Sequence, residues 1–287
     1  MTNPPEFQVS PGGSLAVRDD TLEVARKKPS RLFWDRLAQD KAALGGGIVI
    51  AVLVLLAIFG GPLASTLTGH PQNATYDAMT DAYGVPRGPN GSFWFGADAA
   101  GRDLFVRTMY GARTSLFVGV VASGFAVLIG LVVGLAAGFF GGFIDTVLSR
   151  AADVLLAVPQ ILIAVGVAAA CGTTKDGCIG GLIQPGLTVV IAVITLFSWS
   201  YIARIVRGYT LSLREKEFVE SARSLGASNV RILATEILPN LVGPLIVYAT
   251  LLIPTNILFE AALSYLGLGV PPDQASWGSI LNDASGY

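Results

Sequence analysis

The sequence predicts an all-α integral membrane protein, a polytopic helix bundle, and three observations carry that prediction. Of its 287 residues 52% are hydrophobic and only 14% charged, with a mean hydropathy of +0.61, whereas soluble domains carry about 25% charged residues. Five apolar runs reach the length of a bilayer crossing, roughly 17–25 residues. The basic residues are divided unevenly among the segments between those runs. A helix buried in a soluble core accounts for any single run, but poorly for five in one chain.

Residues 1–42 form a polar tail. Its first 30 residues are rich in Pro, Gly and charge and read as disordered. Arg31–Lys41 sets Leu32, Phe33, Trp34 and Leu37 among charges, which fits a short helix on the membrane surface or an ordinary juxtamembrane anchor. No cleavable signal peptide is evident, because the first apolar run is long enough to stay as an anchor. The predicted crossings are Leu44–Ser65, Ser115–Phe140, Val154–Ala170, Leu187–Ile205 and Ile237–Leu258. They divide the chain into a first span (43–66), an irregular extracytoplasmic segment rich in Pro and Gly (67–114), a core (115–258) with a cytoplasmic loop at 206–236, and an outer stretch (259–287).

Orientation follows from charge, since Lys and Arg accumulate on the cytoplasmic side. Fourteen of the 19 basic residues fall on one side: seven before the first span, six from Arg204 to Arg231, and Arg150. The other side holds Arg87, Arg102, Arg107, Arg113 and Lys175. The N-terminus is therefore expected inside.

Within the second span Gly130, Gly134 and Gly138 form a small-xxx-small row, which lets helix backbones approach closely in lipid. The row fits a helix of another subunit and a helix of the same chain equally well. Cys171 and Cys178 are the two cysteines, and both lie in the short outer loop after the third span. Thiols outside the cytosol tend to pair, and six intervening residues including Gly allow the geometry, so a disulfide is expected. With a single histidine, His70, elsewhere in the chain, no metal site is expected.

Enzyme chemistry finds no support. The sequence holds no G-x-x-x-x-G-K-[ST], no H-E-x-x-H and no G-x-S-x-G. A net charge of −1 does not favour nucleic acid as a partner. Asp145, Arg150 and Asp153 at the inner end of spans two and three, and Glu260 near the outer end of span five, are the charges close to the membrane interior. Such residues are substrate or proton sites by default, but water and mutual pairing at a helix connection favour a structural role for the first three.

The most informative segment lies in the cytoplasmic loop. Glu220-Ser221-Ala222-Arg223-Ser224-Leu225-Gly226, followed by Leu238 and Pro239, reads as helix, sharp turn, helix. Gly226 permits a positive-φ exit, and Ser228 or Asn229 can cap the next helix. Arg214, Lys216, Arg223 and Arg231 flank the turn, which suits docking on another protein.

These residues resemble the loop signature of permease subunits from binding-protein-dependent ABC importers: E-A-A, three residues, Gly, nine residues, then I-x-L-P. Ser221 stands for the first Ala and Glu236 for the Ile, with Ile237 following immediately. Three more blocks, Phe95–Leu116, Gly141–Gln160 and Leu263–Leu281, are similar to the second permease of the dipeptide, oligopeptide and nickel group. The resemblance implies a type I ABC importer permease fold, with five spans visible here and a sixth expected beyond Tyr287. It implies a bacterial plasma (inner) membrane protein that forms half of a pathway for di- or oligopeptides. Glu220, Ser221, Ala222, Gly226, Leu238 and Pro239 would couple it to ATPases, with Asp145, Arg150 and Asp153 as a second cytoplasmic contact. The implied partners are a homologous second permease, two ATPase subunits that bind the ATP and Mg, an extracytoplasmic binding protein and membrane lipid. No cofactor is expected on this chain. A stand-alone secondary transporter or channel is the alternative; it would show inverted repeats and midplane charge, and neither is apparent.

Overall fold

The computed structural model describes residues 38–172, 178 and 186–286. The disorder expected of residues 1–30 and the helix expected within Arg31–Lys41 fall outside the described residues, apart from the last few positions. The chain divides into two compact units, Met1–Leu53 and Val54–Tyr287. No strand forms among the described residues, and isolated bridges join Thr80 to Pro86 and Ala97 to Asp103.

Helix α1 (Lys41–Leu55) starts at Asp40, whose carboxylate accepts hydrogen bonds from Ala42 N (3.0 Å) and Ala43 N (3.1 Å). The cap satisfies helix N–H groups that lack intrahelical partners. The helical run continues through a π turn (Leu56–Gly60) and α2 (Gly61–Thr68), so the first crossing is Lys41–Thr68, longer at both ends than expected.

In the second unit the segment from Gly69 to Asp103 is irregular, as its prolines and glycines require, yet it is packed. His70 stacks on Phe93 with centroids 4.3 Å apart, and Met79, Phe93 and Ala97 bury a small core. Asp103 closes the segment: its side chain caps α3 (Leu104–Phe140) by accepting from Val106 N and pairs with His70 Nδ1 at 2.6 Å. Helix α3 therefore begins eleven residues before the expected Ser115.

The expected third crossing, Val154–Ala170, is corrected. Two helices stand there, α4 (Gly142–Ala157) and α5 (Gln160–Gly172), bent by 88° at the break. Pro159 explains the break. Its ring excludes the helical region for the preceding residue, and Val158 adopts φ −89°, ψ 138°. By length and composition the described residues hold four membrane-length helices, or five if the bent pair counts as one crossing.

Helix α6 (Leu187–Leu213) packs along α3. A Cβ placed on Gly130, Gly134 or Gly138 would lie within 3 Å of a backbone oxygen of α6, those of Trp199, Ala203 and Arg207 respectively. The glycine row thus serves packing inside the chain, which decides between the two alternatives the sequence left open. Helix α7 (Glu217–Ser224), the short α8 (Asn229–Ile232), a π turn (Leu233–Ile237) and α9 (Leu238–Tyr265) follow, and α10 (Trp277–Ala284) closes the described chain.

Two polar ladders join the helices inside this unit. Asn256 on α9 accepts from the Ser198 hydroxyl (2.8 Å) and donates to Ser123 (2.9 Å). Glu260 is fully buried and accepts from Ser115 Oγ (2.8 Å) and Ser264 Oγ (2.6 Å), while Trp277 N donates to Ser115 Oγ (3.3 Å). Buried polar groups are costly unless bonded, and these ladders fix α3, α6, α9 and α10 at defined heights.

Candidate functional site

The turn around Gly226 is built by a complete C-terminal helix stop. Gly226 N donates to Arg223 O (3.0 Å) and Ala227 N to Ala222 O (3.1 Å), the two bonds of a Schellman motif, with Gly226 at φ +81°. An L side chain rarely adopts that conformation. Ser228 then caps α8 by accepting from Arg231 N (3.4 Å). Val219 is fully buried, and Ala222 and Ala227 pack against the same hydrophobic cluster, which includes Ile232, Ile237 and Leu241. Glu220, Ser221 and Arg223 face outward. The turn also presents Leu225 and Val230, 88% and 74% exposed. Two large apolar side chains at the tip of a polar loop are left uncovered by the described residues, and such exposure marks an interaction surface.

The Glu236 departure has a structural answer. Ile232, Ile237 and Leu241 are all buried, at spacings of five and four. An α-helical spacing of four would turn residue 236 inward. The π turn at Leu233–Ile237 adds one residue, so Ile237 occupies the inner face and Glu236 stays half-exposed. Leu238 is half-buried and Pro239 exposed, at the start of α9 where a proline N–H is not needed.

Asp145, Arg150 and Asp153 lie on α4 near the loop-bearing ends of α3 and α6. The pairing expected among the three does not form. Asp145 takes a bidentate contact from Arg207 (2.5 and 2.7 Å) and a bond from Ser149 Oγ (2.9 Å), and Asp153 pairs with Arg204 at 2.6 Å. Arg150 has no hydrogen bond or ion pair among the described residues. Arg214, expected to flank the turn, donates to Gly138 O (3.0 Å) at the end of α3. Cys171 and Cys178 are joined as a disulfide with Cα atoms 5.1 Å apart.

Sequence reading missed the donors that meet these carboxylates. Arg204 and Arg207 stand three apart on α6 within reach of Asp153 and Asp145, and their opposite sign was the available signal. It also missed a clasp at the other end. Arg107, 1% exposed, lies 3.2 Å from Asp98, whose carboxylate also binds Arg102 Nε (2.7 Å). Arg102 reaches Pro272 O (3.1 Å) and Asp283 (3.5 Å), and Asn73 Nδ2 donates to Asp273 O (2.7 Å). The clasp ties the 70–103 segment to the stretch before α10 and, through Asp283, to α10 itself. Burial and the neighbouring Asp98 carboxylate together hold the Asp283 carboxyl above its ordinary range, outweighing Arg102 and Arg107.

A bundle of membrane-length helices interrupted by a capped helical loop with an apolar tip defines the class, a polytopic helical membrane protein. The chain belongs to the family of binding-protein-dependent transport system inner membrane components, whose pattern matches residues 130–287, and residues 28–83 match the N-terminal TM domain of oligopeptide transport permease C. It is 37% identical over 287 residues to the oligopeptide transport system permease protein OppC of Bacillus subtilis, covering 99% of this chain and 86% of that one. It is 37% identical to the dipeptide transport system permease protein DppC of B. subtilis, over 90% of this chain and 75% of that one. Against the glutathione transport system permease protein GsiD of Escherichia coli O6:K15:H31 the identity is 38%, over 90% and 78%. The chain is thus a multi-span inner-membrane permease of an ABC importer and not itself the catalyst; membership implies ATPase and binding-protein partners.

Proposed function

We propose that the chain forms half of a peptide pathway, with its N-terminus in the cytoplasm and the Glu220–Gly226 loop docked on an ATPase subunit. The observation that carries the docking is the capped turn with Leu225 and Val230 uncovered at its tip. An apolar tip framed by Glu220, Arg223 and Arg231 fits a groove on a partner, where burial supplies affinity and charge sets orientation. Leu238 and Pro239 open the helix that carries motion from the loop into the bundle.

The full assembly pairs this chain with a homologous permease, two ATPases that bind ATP and Mg, and an extracytoplasmic binding protein. Substrate crosses between the permeases by alternating access as ATP binding closes the ATPases. The names of the relatives, oligopeptide, dipeptide and glutathione permeases, support peptides as the substrate class. Asp145 and Asp153 act through their arginine partners as braces for α4. Within this scheme Lys41–Thr68 crosses first, the segment from Gly69 to Asp103 and the stretch after α9 lie outside, and the loop expected at 206–236 lies inside.

Affinity purification of the chain from its native membrane, followed by reconstitution, tests the reading. Co-purifying ATPase subunits and peptide uptake that requires ATP and the binding protein are expected. Isolation without any ATPase, together with uptake driven by an ion gradient alone, would sink it.

A further inference from the structure

A groove of about 430 Å³ opens between α3, α4 and α6 at the end that carries the loop, within the roughly 300–1,000 Å³ range of small-molecule sites. Its floor is made of small side chains, Gly134, Ala137, Ala152 and Ala203, and Arg150 and Arg204 stand among its lining residues. We propose that this groove seats one anionic phospholipid, its headgroup phosphate held by Arg150 and Arg204 and its acyl chains laid along α4.

Charge is the first argument. Three guanidinium groups, those of Arg150, Arg204 and Arg207, line the groove against two carboxylates. Arg207 spends both arms of its fork on Asp145, and Asp153 is met by Arg204. Arg150 is the cation left over among the described residues. The surplus is therefore one positive charge beside an Arg204 that is 59% exposed at its side chain and free to share a second acceptor. Guanidinium groups match phosphate oxygens in charge and fork geometry.

The neighbouring surface is the second argument. Phe143 and Val147 stand seven and three residues before Arg150, and Val154 four after it, which puts all four on one helical face. Phe143 is 83% and Val154 63% exposed. A helix with an apolar stripe and a basic residue at its border is the pattern of a segment lying in the membrane interface. The 88° break at Pro159 turns α4 sharply away from α5, so that α4 need not share the direction of the neighbouring helix. A free phosphate would satisfy Arg150 but leave the stripe uncovered. A soluble partner would leave the stripe facing water beside it. A phospholipid covers the stripe and meets the charge at once.

The test is lipid retention on the purified complex, read by native mass spectrometry after exchange into mixed micelles containing phosphatidylglycerol or phosphatidylcholine of matched chains. Phosphatidylglycerol is expected to stay bound and phosphatidylcholine to leave. Arg150→Gln should lower phosphatidylglycerol retention about fivefold, the effect of one basic group near an anionic lipid surface, and Arg150→Lys should restore most of it. Because Arg150 is exposed and unpaired, the Gln variant should melt at the wild-type temperature in phosphatidylcholine micelles, which separates lost lipid from lost fold. Equal retention of the two lipids, or wild-type retention by Arg150→Gln, overturns the proposal. So does loss of the lipid to added inorganic phosphate, which assigns the site to a free anion.

Discussion

Replacing Gly226 isolates conformation from contact. Its φ of +81° lies in the region L residues avoid, yet a Cβ built there meets nothing within 4 Å. Any effect of substitution therefore comes from the backbone and not from a clash. The left-handed conformation costs about 1–2 kcal/mol for an ordinary L residue and more for a β-branched one. Gly226→Ala should thus raise the population of the opened turn about five- to thirtyfold, and Gly226→Val further. The bonds at stake are those from Gly226 N to Arg223 O and from Ala227 N to Ala222 O. Hydrogen exchange at the Ala227 amide reads the opening directly. Peptide uptake and binding-protein-stimulated ATPase activity in proteoliposomes read its consequence, and both should fall in the order Gly, Ala, Val. Asn tolerates this conformation, so Gly226→Asn should stay close to wild type. If Gly226→Val keeps wild-type Ala227 protection and full transport, or if Asn is as impaired as Val, the turn does not act through its backbone.

Other outcomes follow from the packing and the charges. Gly134→Ala drives a Cβ to 2.6 Å from Ala203 O, which should cost about 1–3 kcal/mol of overpacking and lower the melting temperature in detergent. Gly124→Ala on the same helix meets open space and should be neutral or slightly stabilising. Asp283 binds its proton more tightly in the folded state than its ordinary value of 3.8 allows, so its contribution is greatest below that value and is lost as pH rises through the raised one. Asp283→Asn should therefore raise the melting temperature at neutral pH and change nothing in acid below the ordinary carboxylate range. Native protein alkylated without reductant should show neither Cys171 nor Cys178 modified, and both should react after reduction; two alkylated cysteines at the outset would count against the bond.

The apolar runs placed four membrane-length helices because burial in lipid demands little more than length and hydropathy. The loop was legible because caps and stops use few residue types: Gly226 and Ser228 stand where the chain turns, and both act as their chemistry dictates. The break at Pro159 was equally legible, since the Val-Pro pair disfavours helix at Val158, but its apolar surroundings masked it. What could not be read locally were the pairings across the fold. Asp145 meets Arg207 across 62 residues and Glu260 meets Ser115 across 145, and nothing near either residue announces its partner. The glycine row promised close approach without saying to which helix. Only the three-dimensional arrangement supplies that.

The π turn before α9 carries a consequence for how such a chain can vary. Each residue of an α-helix advances the side-chain direction by about 100°. Removing one residue between Leu233 and Ile237 would bring Ile232 and Ile237 to the ordinary spacing of four and keep both the face of α9 and the bearing of the capped loop, whereas losing the π turn at constant length would swing the loop by about 100°. The extra residue therefore works as a rotational shim. It holds the Leu225 and Val230 tip in one compass direction even though the polar Glu236 occupies the inward slot of a regular helix. A chain with an apolar residue in that slot needs no π turn, so two chains aligned without a gap can point their loops differently, while a chain one residue shorter at this point keeps the same bearing.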